Sequence, residues 1–153
     1  MPYRNPMKKK YISSVEKYPL DYETISALNY PDILGGDAGS IYKKINRAPW
    51  EKMTEISPFF SIKKISADIR VFHTGELFNL VYFDAFGPEK QPEMWTREVI
   101  SLVASFMGKN SVFVTYSARG ELKRVLKSLG FSVEHLPGPP GKREFTRAIK
   151  DKI

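Results

Sequence analysis

Nothing in this chain narrows the fold as much as the run Leu80-Val-Tyr-Phe-Asp84. A nearly continuous apolar stretch cannot alternate between core and water, so it reads as a buried parallel strand. The acid at its carboxyl end marks where the chain leaves the core. Parallel strands need crossovers of a dozen or more residues, and the sequence downstream supplies them. Thr96 can cap a helix that carries Val99, Ile100, Val103, Phe106 and Met107 on one broad face, with Gly108 as its stop. A strand follows at 111–116. Leu122, Val125, Leu126 and Leu129 then fall at helical spacing, and Gly130 closes that helix. Strands at 131–136 and 143–149 complete the half, joined by Pro137-Gly-Pro-Pro-Gly141. That link is too short for a crossover, so the final strand is expected to run antiparallel.

Upstream, residues 11–16 form a β-rich run, and Asp21 can cap a helix containing Ile25 and Leu28. Pro31, Gly35, Gly36 and Gly39 mark a loop. Residues 41–45 suggest one helical turn, and 49–58 reads as irregular. Residues 59–65 are the next strand, and 69–72 is a short helix or an extended piece. Strands alternating with amphipathic helices define an α/β domain with a mostly parallel sheet. An antiparallel last strand in such a sheet points toward the Rossmann-like methyltransferases.

With 153 residues, one domain is the expected count. The 42% hydrophobic content excludes a disordered chain, and the absence of Cys excludes a disulfide scaffold. No apolar run approaches the roughly 18–20 residues of a membrane span, and a cytoplasmic location is expected. Lys+Arg outnumber Asp+Glu by 24 to 17, a formal charge of +7. Such a balance either favours polyanions, nucleic acid above all, or keeps a small domain soluble. The cations cluster at Lys8, Lys9 and Lys10, along 119–127, and again at Lys142, Arg143, Arg147, Lys150 and Lys152.

Ligands of open α/β sheets bind beyond the carboxyl ends of the strands, and three acids stand at such ends. Glu16 can accept from both hydroxyls of a ribose, or be a solvated loop carboxylate. Asp68 follows the second strand with no spacing constraint of its own. Asp84 sits where burial is expected close to water, and can serve chemistry or cap a loop. After it come the stiff Pro88-Glu-Lys-Gln-Pro92 and then Trp95, a core residue or a substrate platform. His73 and His135 have no partners at metal-ligand spacing, which argues against a metal site. Ser117 lacks a Gly-x-Ser-x-Gly elbow, which argues against nucleophilic hydrolysis.

Three segments together resemble a known family: residues 84–95 (Asp-Ala-Phe-Gly-Pro-Glu-Lys-Gln-Pro-Glu-Met-Trp), Thr115-Tyr-Ser-Ala118, and 137–144 (Pro-Gly-Pro-Pro-Gly-Lys-Arg-Glu). They look like the methyltransferase domain that completes 5-methylaminomethyl-2-thiouridine at the tRNA wobble position. Val15-Glu-Lys-Tyr-Pro-Leu20 and Asn29-Tyr-Pro31 match the same family, so the resemblance runs from about residue 11 to the C-terminus. It implies S-adenosyl-L-methionine as methyl donor and a wobble-uridine amine of tRNA as acceptor, held through the anticodon stem-loop. It assigns Glu16, Lys17, Asp68 and Asp84 to the cofactor, with Asp84 also catalytic. It assigns Phe86, Pro88, Lys90, Trp95, Lys142 and Arg143 to the substrate, and it implies no metal and no membrane.

The family opens its fold with a strand and a Gly-rich turn, whereas only ten residues, basic and without glycine, precede the match here. The expected organisation is therefore a basic segment at 1–10 and a partial methyltransferase domain over 11–153. It would be truncated at the N-terminus and would lack the flavin oxidase domain that some members carry. Several arrangements follow from such a gap: an earlier native start, a shortened gene, a second chain or self-association that fills the sheet, or direct pairing of the first strand with the Asp84 strand. An orphaned buried backbone group costs about 1–3 kcal/mol, so a gap left open would not be tolerated. The alternatives to an active enzyme are a catalytically silent fragment or RNA-binding remnant, and one half of a split enzyme.

Overall fold

Seven strands and five helices are built from these patterns in the computed structural model, which describes residues 8–138 and 144–151. They fall into two compact units, Met1–Phe72 and His73–Ile153, each with its own sheet.

In the first unit, β1 (Lys10–Glu16) uses Tyr11, Ile12 and Val15, residue types that suit a pleated strand. Asp21 then caps α1 (Tyr22–Ala27), its carboxylate accepting from the Thr24 N–H at 2.6 Å. The glycine-rich stretch expected as loop is instead mostly helical, as α2 (Tyr30–Leu34) and α3 (Gly36–Arg47). Only Gly35 breaks it, at φ +63°, a conformation glycine adopts without steric cost. Gly39 lies inside α3, where a Cβ would come to 3.0 Å from the Pro31 carbonyl oxygen, so its smallness serves packing. The single turn expected at 41–45 is the middle of this helix.

The region expected to be irregular contains β2 (Thr54–Ser57), and Trp50 forms an isolated parallel bridge with Lys64. Four residues interrupted by a bulge, with only Ile56 buried, leave too little periodicity to read. β3 (Phe60–Ser66) pairs in parallel with β1, Glu16 opposite Ser66, and antiparallel with β2, for the order β1-β3-β2. Ala48, Ile56 and Ile62 form a small core, with Ile45 and Phe60 against it. A 3-10 turn over Ile69–Val71 resolves the ambiguity at 69–72.

In the second unit, β4 (Phe78–Tyr82) is parallel to its neighbour as expected but is not buried. Leu80 is 45% exposed and Tyr82 73%, and only Phe83, just past the strand, is in the core. An apolar run reports what a strand can bury; among the described strands β4 has one partner and lies at the sheet edge. Thr96 caps α4 (Arg97–Ser105), accepting from the Val99 N–H. The helix stops before Gly108, not at it, and β5 (Met107–Thr115) begins at once. The Lys150 ammonium spans this junction, donating to the carbonyl of Ala104 in the last turn of α4 (2.9 Å) and to that of Met107 at the start of β5 (2.7 Å).

After α5 (Gly120–Ser128), β6 (Phe131–Pro137) pairs antiparallel with β7 (Glu144–Lys150), which is also antiparallel to β5. The order is β4-β5-β7-β6, so β4, β5 and β6 run one way and the last strand runs against them, as its short connection requires. Within each sheet most strands share a direction, and the class is α/β. Phe113, Ile100, Met107 and Leu126 are the largest fully buried apolar side chains. No helix among the described residues is long and apolar enough to cross a membrane.

Candidate active site

In the first unit the parallel register of β1 and β3 brings both carboxyl ends to one level, and the Ala67 N–H donates to the Glu16 carbonyl at 3.1 Å. Glu16 is exposed. Its Oε1 accepts from the Tyr18 N–H at 2.8 Å, and Oε2 has no partner among the described residues. A strand-end carboxylate with a free oxygen suits a vicinal diol such as that of a ribose. Asp68 caps the 3-10 turn and is held far more tightly. Oδ1 accepts from the Arg70 backbone N–H, both oxygens accept from the Arg70 guanidinium, and Lys17 Nζ lies 3.0 Å from Oδ2. The Arg70 guanidinium, then its backbone N–H and to a lesser degree Lys17, hold the Asp68 carboxyl well below the ordinary range. Lys17 and Asp68 are thus brought together. Arg70 was not singled out in the sequence, where a cation two residues beyond an acid carries no signal.

In the second unit, the backbone leaves β4 with Phe83, whose N–H donates to the Val114 carbonyl at 2.8 Å, and then turns outward. Asp84 is therefore exposed, contrary to the burial expected for it, and its carboxylate has no hydrogen-bond or ion-pair partner among the described residues. The segment after it is braced at each step. The Tyr116 hydroxyl donates to the Ala85 carbonyl at 2.7 Å. The Phe86 N–H donates to Gln91 Oε1 at 3.2 Å, and Trp95 Nε1–H donates to the Phe86 carbonyl at 2.7 Å. The N–H groups of Lys90 and Gln91 both reach the Gly87 carbonyl, and Arg119 pairs with Glu89. Burial, and then the charge of Asp84, push the Tyr116 hydroxyl pKa up, so it stays a donor across the neutral range.

The braces root the loop in an aromatic stack. Trp95 meets Phe83 edge-on at 5.3 Å and Tyr116 at 6.1 Å, and Phe83 stacks on Phe113 at 5.7 Å. Trp95 therefore packs as a core residue would while its N–H holds the loop. Phe86 presents an exposed ring, Pro88 is half-buried, and the exposed Lys90 has no carboxylate partner among the described residues. Lys142 and Arg143 lie outside the described residues. Gln91 and Tyr116 were missed as individuals by sequence reasoning, since only a fold brings residues 85 and 116 together. Among the described residues no group of three or more His, Cys, Asp or Glu could hold a metal ion.

What the second unit offers is an uncompensated, water-accessible carboxylate on a rigid base, flanked by an exposed aromatic ring and a free cation. Residues 50–151 match the S-adenosyl-L-methionine-dependent methyltransferase family. The chain is 29% identical over 140 residues to the tRNA 5-methylaminomethyl-2-thiouridine biosynthesis bifunctional protein MnmC of Nitrosospira multiformis, which covers 86% of this chain and 22% of that protein. The protein of the same name from Campylobacter hominis is 27% identical over 162 residues, covering 95% and 22%. Among solved structures, MNMC2 from Aquifex aeolicus matches with a TM-score of 0.70 at 27% identity, over 94% of this chain and 44% of that one. The chain thus spans about a fifth of the length of these curated relatives.

Proposed function

The chain belongs to the S-adenosyl-L-methionine-dependent methyltransferase family, and on that premise we propose that it methylates the side-chain amine of a wobble uridine in tRNA, converting 5-aminomethyl-2-thiouridine to its methylamino form. The observation that carries this reading is Asp84: a carboxylate at the carboxyl end of a parallel strand, exposed, unpartnered, and set on a braced loop. Two of the relatives above are named for the biosynthesis of that nucleoside.

S-adenosyl-L-methionine, when bound, supplies an electrophilic methyl group on a positively charged sulfur. The free oxygen of Glu16 suits the ribose hydroxyls of such a ligand, and Asp68, kept ionised by Arg70 and Lys17, takes the adenine side. Asp84 is assigned to the acceptor. An ammonium has no lone pair, so the amine must lose a proton before nitrogen can form the new N–C bond while the S–C bond breaks. Asp84 accepts that proton or stabilises the cation that forms on nitrogen. Holding the two reactants in line contributes much of the rate, because the methyl is already activated.

The exposed Phe86 ring offers a stacking surface for an unstacked base, and RNA readers commonly stack bases on aromatic side chains. Pro88, Lys90 and Trp95 shape and hold the same loop, Lys90 adding a charge for phosphate. Lys142 and Arg143 add further cations for the anticodon stem-loop. This reading carries with it a cytoplasmic location.

The test is Asp84→Asn, which keeps the shape and removes the charge. Methyl transfer to an anticodon stem-loop bearing the aminomethyl group should fall by roughly 10²–10⁴-fold. S-adenosyl-L-methionine affinity by isothermal titration should stay within a few fold. Unchanged turnover removes Asp84 from the mechanism. RNA binding by the wild-type chain with no detectable affinity for S-adenosyl-L-methionine would instead favour the silent, RNA-binding alternative.

A further inference from the structure

Most of the described basic groups that do not simply face water are already answered. Lys9 pairs with Glu55, Lys17 and Arg70 with Asp68, Arg119 with Glu89, Lys123 with Glu144, and Arg147 with Glu134. Arg47 and Lys64 are different. Neither has a carboxylate partner among the described residues, and both line one open concavity of about 460 Å³ in the first unit, with Tyr22, Asn46 and Trp50.

Lys64 is half-buried on β3. Its ammonium donates to the Asn46 carbonyl at 2.8 Å and lies 4.9 Å from the centre of the Trp50 ring. Burial pushes its pKa down, the mark of a charge that has lost water without gaining a counter-charge. Arg47, at the C-terminal end of α3, donates through Nε to the Tyr22 hydroxyl at 2.8 Å, with its guanidinium 5.6 Å from the Tyr22 ring centre. That contact fixes the plane of the guanidinium and leaves its two terminal nitrogens without partners among the described residues. A fixed fork of this kind matches two oxygens of a phosphate. Lys43 and Lys44, on the same helix, line an adjoining concavity together with Arg47. The one acid in that lining, Glu55, is taken by Lys9.

We propose that the Arg47–Lys64 concavity is a phosphodiester site that grips an RNA strand, Arg47 and Lys64 on the phosphates and Trp50 and Tyr22 beside the bases, with Lys43 and Lys44 extending the track. The two aromatic residues, both exposed, favour a nucleic acid over other polyanions, because bases stack on such rings while the cations follow the backbone. The site shares no residue with the proposed methyl transfer. It deepens that reading, and rests on it in taking RNA as the substrate class.

The experiment is fluorescence anisotropy of a labelled anticodon stem-loop RNA titrated with the full chain between 50 and 200 mM salt. Arg47→Gln should weaken binding about three- to tenfold at 100 mM salt. It should also flatten the slope of log K against log salt by roughly 0.7–0.9, the loss of one phosphate contact. Arg47 is exposed but touches Tyr22, so circular dichroism of Arg47→Gln accompanies the titration to show that the fold persists. Adding Lys64→Met should flatten the slope by the same amount again, circular dichroism reporting that the fold persists. Lys127→Gln on α5 removes an equal charge elsewhere and should change affinity less than twofold.

Equal losses from Lys127→Gln would overturn the site in favour of diffuse attraction, and an unchanged slope in Arg47→Gln would overturn it outright. Full displacement of RNA by inorganic phosphate at matched ionic strength would show a small-anion site and overturn the strand reading. Failure of the methyl-transfer reading is separate: it appears as no S-adenosyl-L-methionine binding in wild type, whereas failure of this site appears as Arg47→Gln binding and methylating RNA as wild type does.

Discussion

The two units spend their apolar residues in opposite ways. Among the described residues the second unit buries twelve hydrophobic side chains, including Phe83, Phe106, Phe113 and Phe131, and leaves four large ones exposed. The first buries four, Ala48, Ile56, Ile62 and Ile65, and leaves fourteen large ones exposed, with α1 and α2 burying nothing. With so small a core, the first unit relies on the pairing of β3 with β1 and β2, supplemented by a cap at Asp21, ion pairs at Asp68, and cation–ring contacts at Tyr22 and Trp50. The lesson concerns placement of function. Asp84, the residue proposed to meet a reacting nitrogen, stands on the well-packed unit, where its loop is braced from the core. Cations and aromatic rings that would meet a long flexible polyanion stand on the unit with little core to lose.

Trp50 and Trp95, the two tryptophans of the chain, fall one in each unit, so Trp50→Phe and Trp95→Phe backgrounds report each separately. The largest effect expected is from Phe113→Ala. Phe113 is fully buried between Phe83 and Phe131, and removing its ring should cost about 3–5 kcal/mol, much of a typical stability of ~5–15 kcal/mol. In urea the Trp95 transition should move to much lower denaturant while the Trp50 transition moves far less. Equal shifts of both would show one cooperative body and break the contrast.

Ile62→Ala makes the matching change in the first unit. Its neighbours Ile45 and Phe60 are only partly buried and free to settle into the space, so the cost should sit at the low end of such truncations, about 2 kcal/mol. Here the Trp50 transition should move and the Trp95 transition stay. A cost above that of Phe113→Ala would mean the small core is more tightly packed than its size suggests.

The same contrast explains what could be read from sequence. The second unit was legible because its helices and strands bury one side: α4 and α5 show their apolar periodicity and the antiparallel β7 follows from a short link. In the first unit the glycines around Gly35 and Gly39 suggested a loop, since nothing local tells a glycine needed for positive φ from one needed for close packing against Pro31. Asp84 was legible as the end of an apolar run, but its exposure was not, because exposure depends on which neighbours a strand has. Tyr116 and Arg70 were silent for the same reason: each matters through a partner that only the fold or a turn supplies.

Tyr116→Phe probes the brace rather than the core. Losing the hydrogen bond to the Ala85 carbonyl should cost about 1 kcal/mol, seen at Trp95. Because Ala85 adjoins Asp84, methyl transfer should fall more than stability does, with S-adenosyl-L-methionine affinity kept. Loss of that affinity instead would make Tyr116 part of the cofactor site.

The smallest effect tests the first unit's dependence on charge. Asp68 is bound to Arg70 and Lys17, both half exposed to solvent, and such pairs contribute little. Its folded pKa lies below the ordinary value of 3.8, so the stability it provides is complete above pH 3.8 and is lost as pH falls through the depressed folded value. Asp68→Asn should therefore lower the Trp50 midpoint by a constant amount from pH 7 to about 5. Below 3.8 the gap from wild type should close, because the wild type then gives up what the variant never had. Salt should shrink the gap at neutral pH as well, as expected for partly exposed pairs. A gap that survives acid and salt would mean that Asp68 acts through the 3-10 turn it caps, by a hydrogen bond that Asn can also fail to make, and the first unit would owe less to charge than to backbone capping. A gap read by Trp95 instead of Trp50 would show that a charge cluster in one unit is felt by the core of the other.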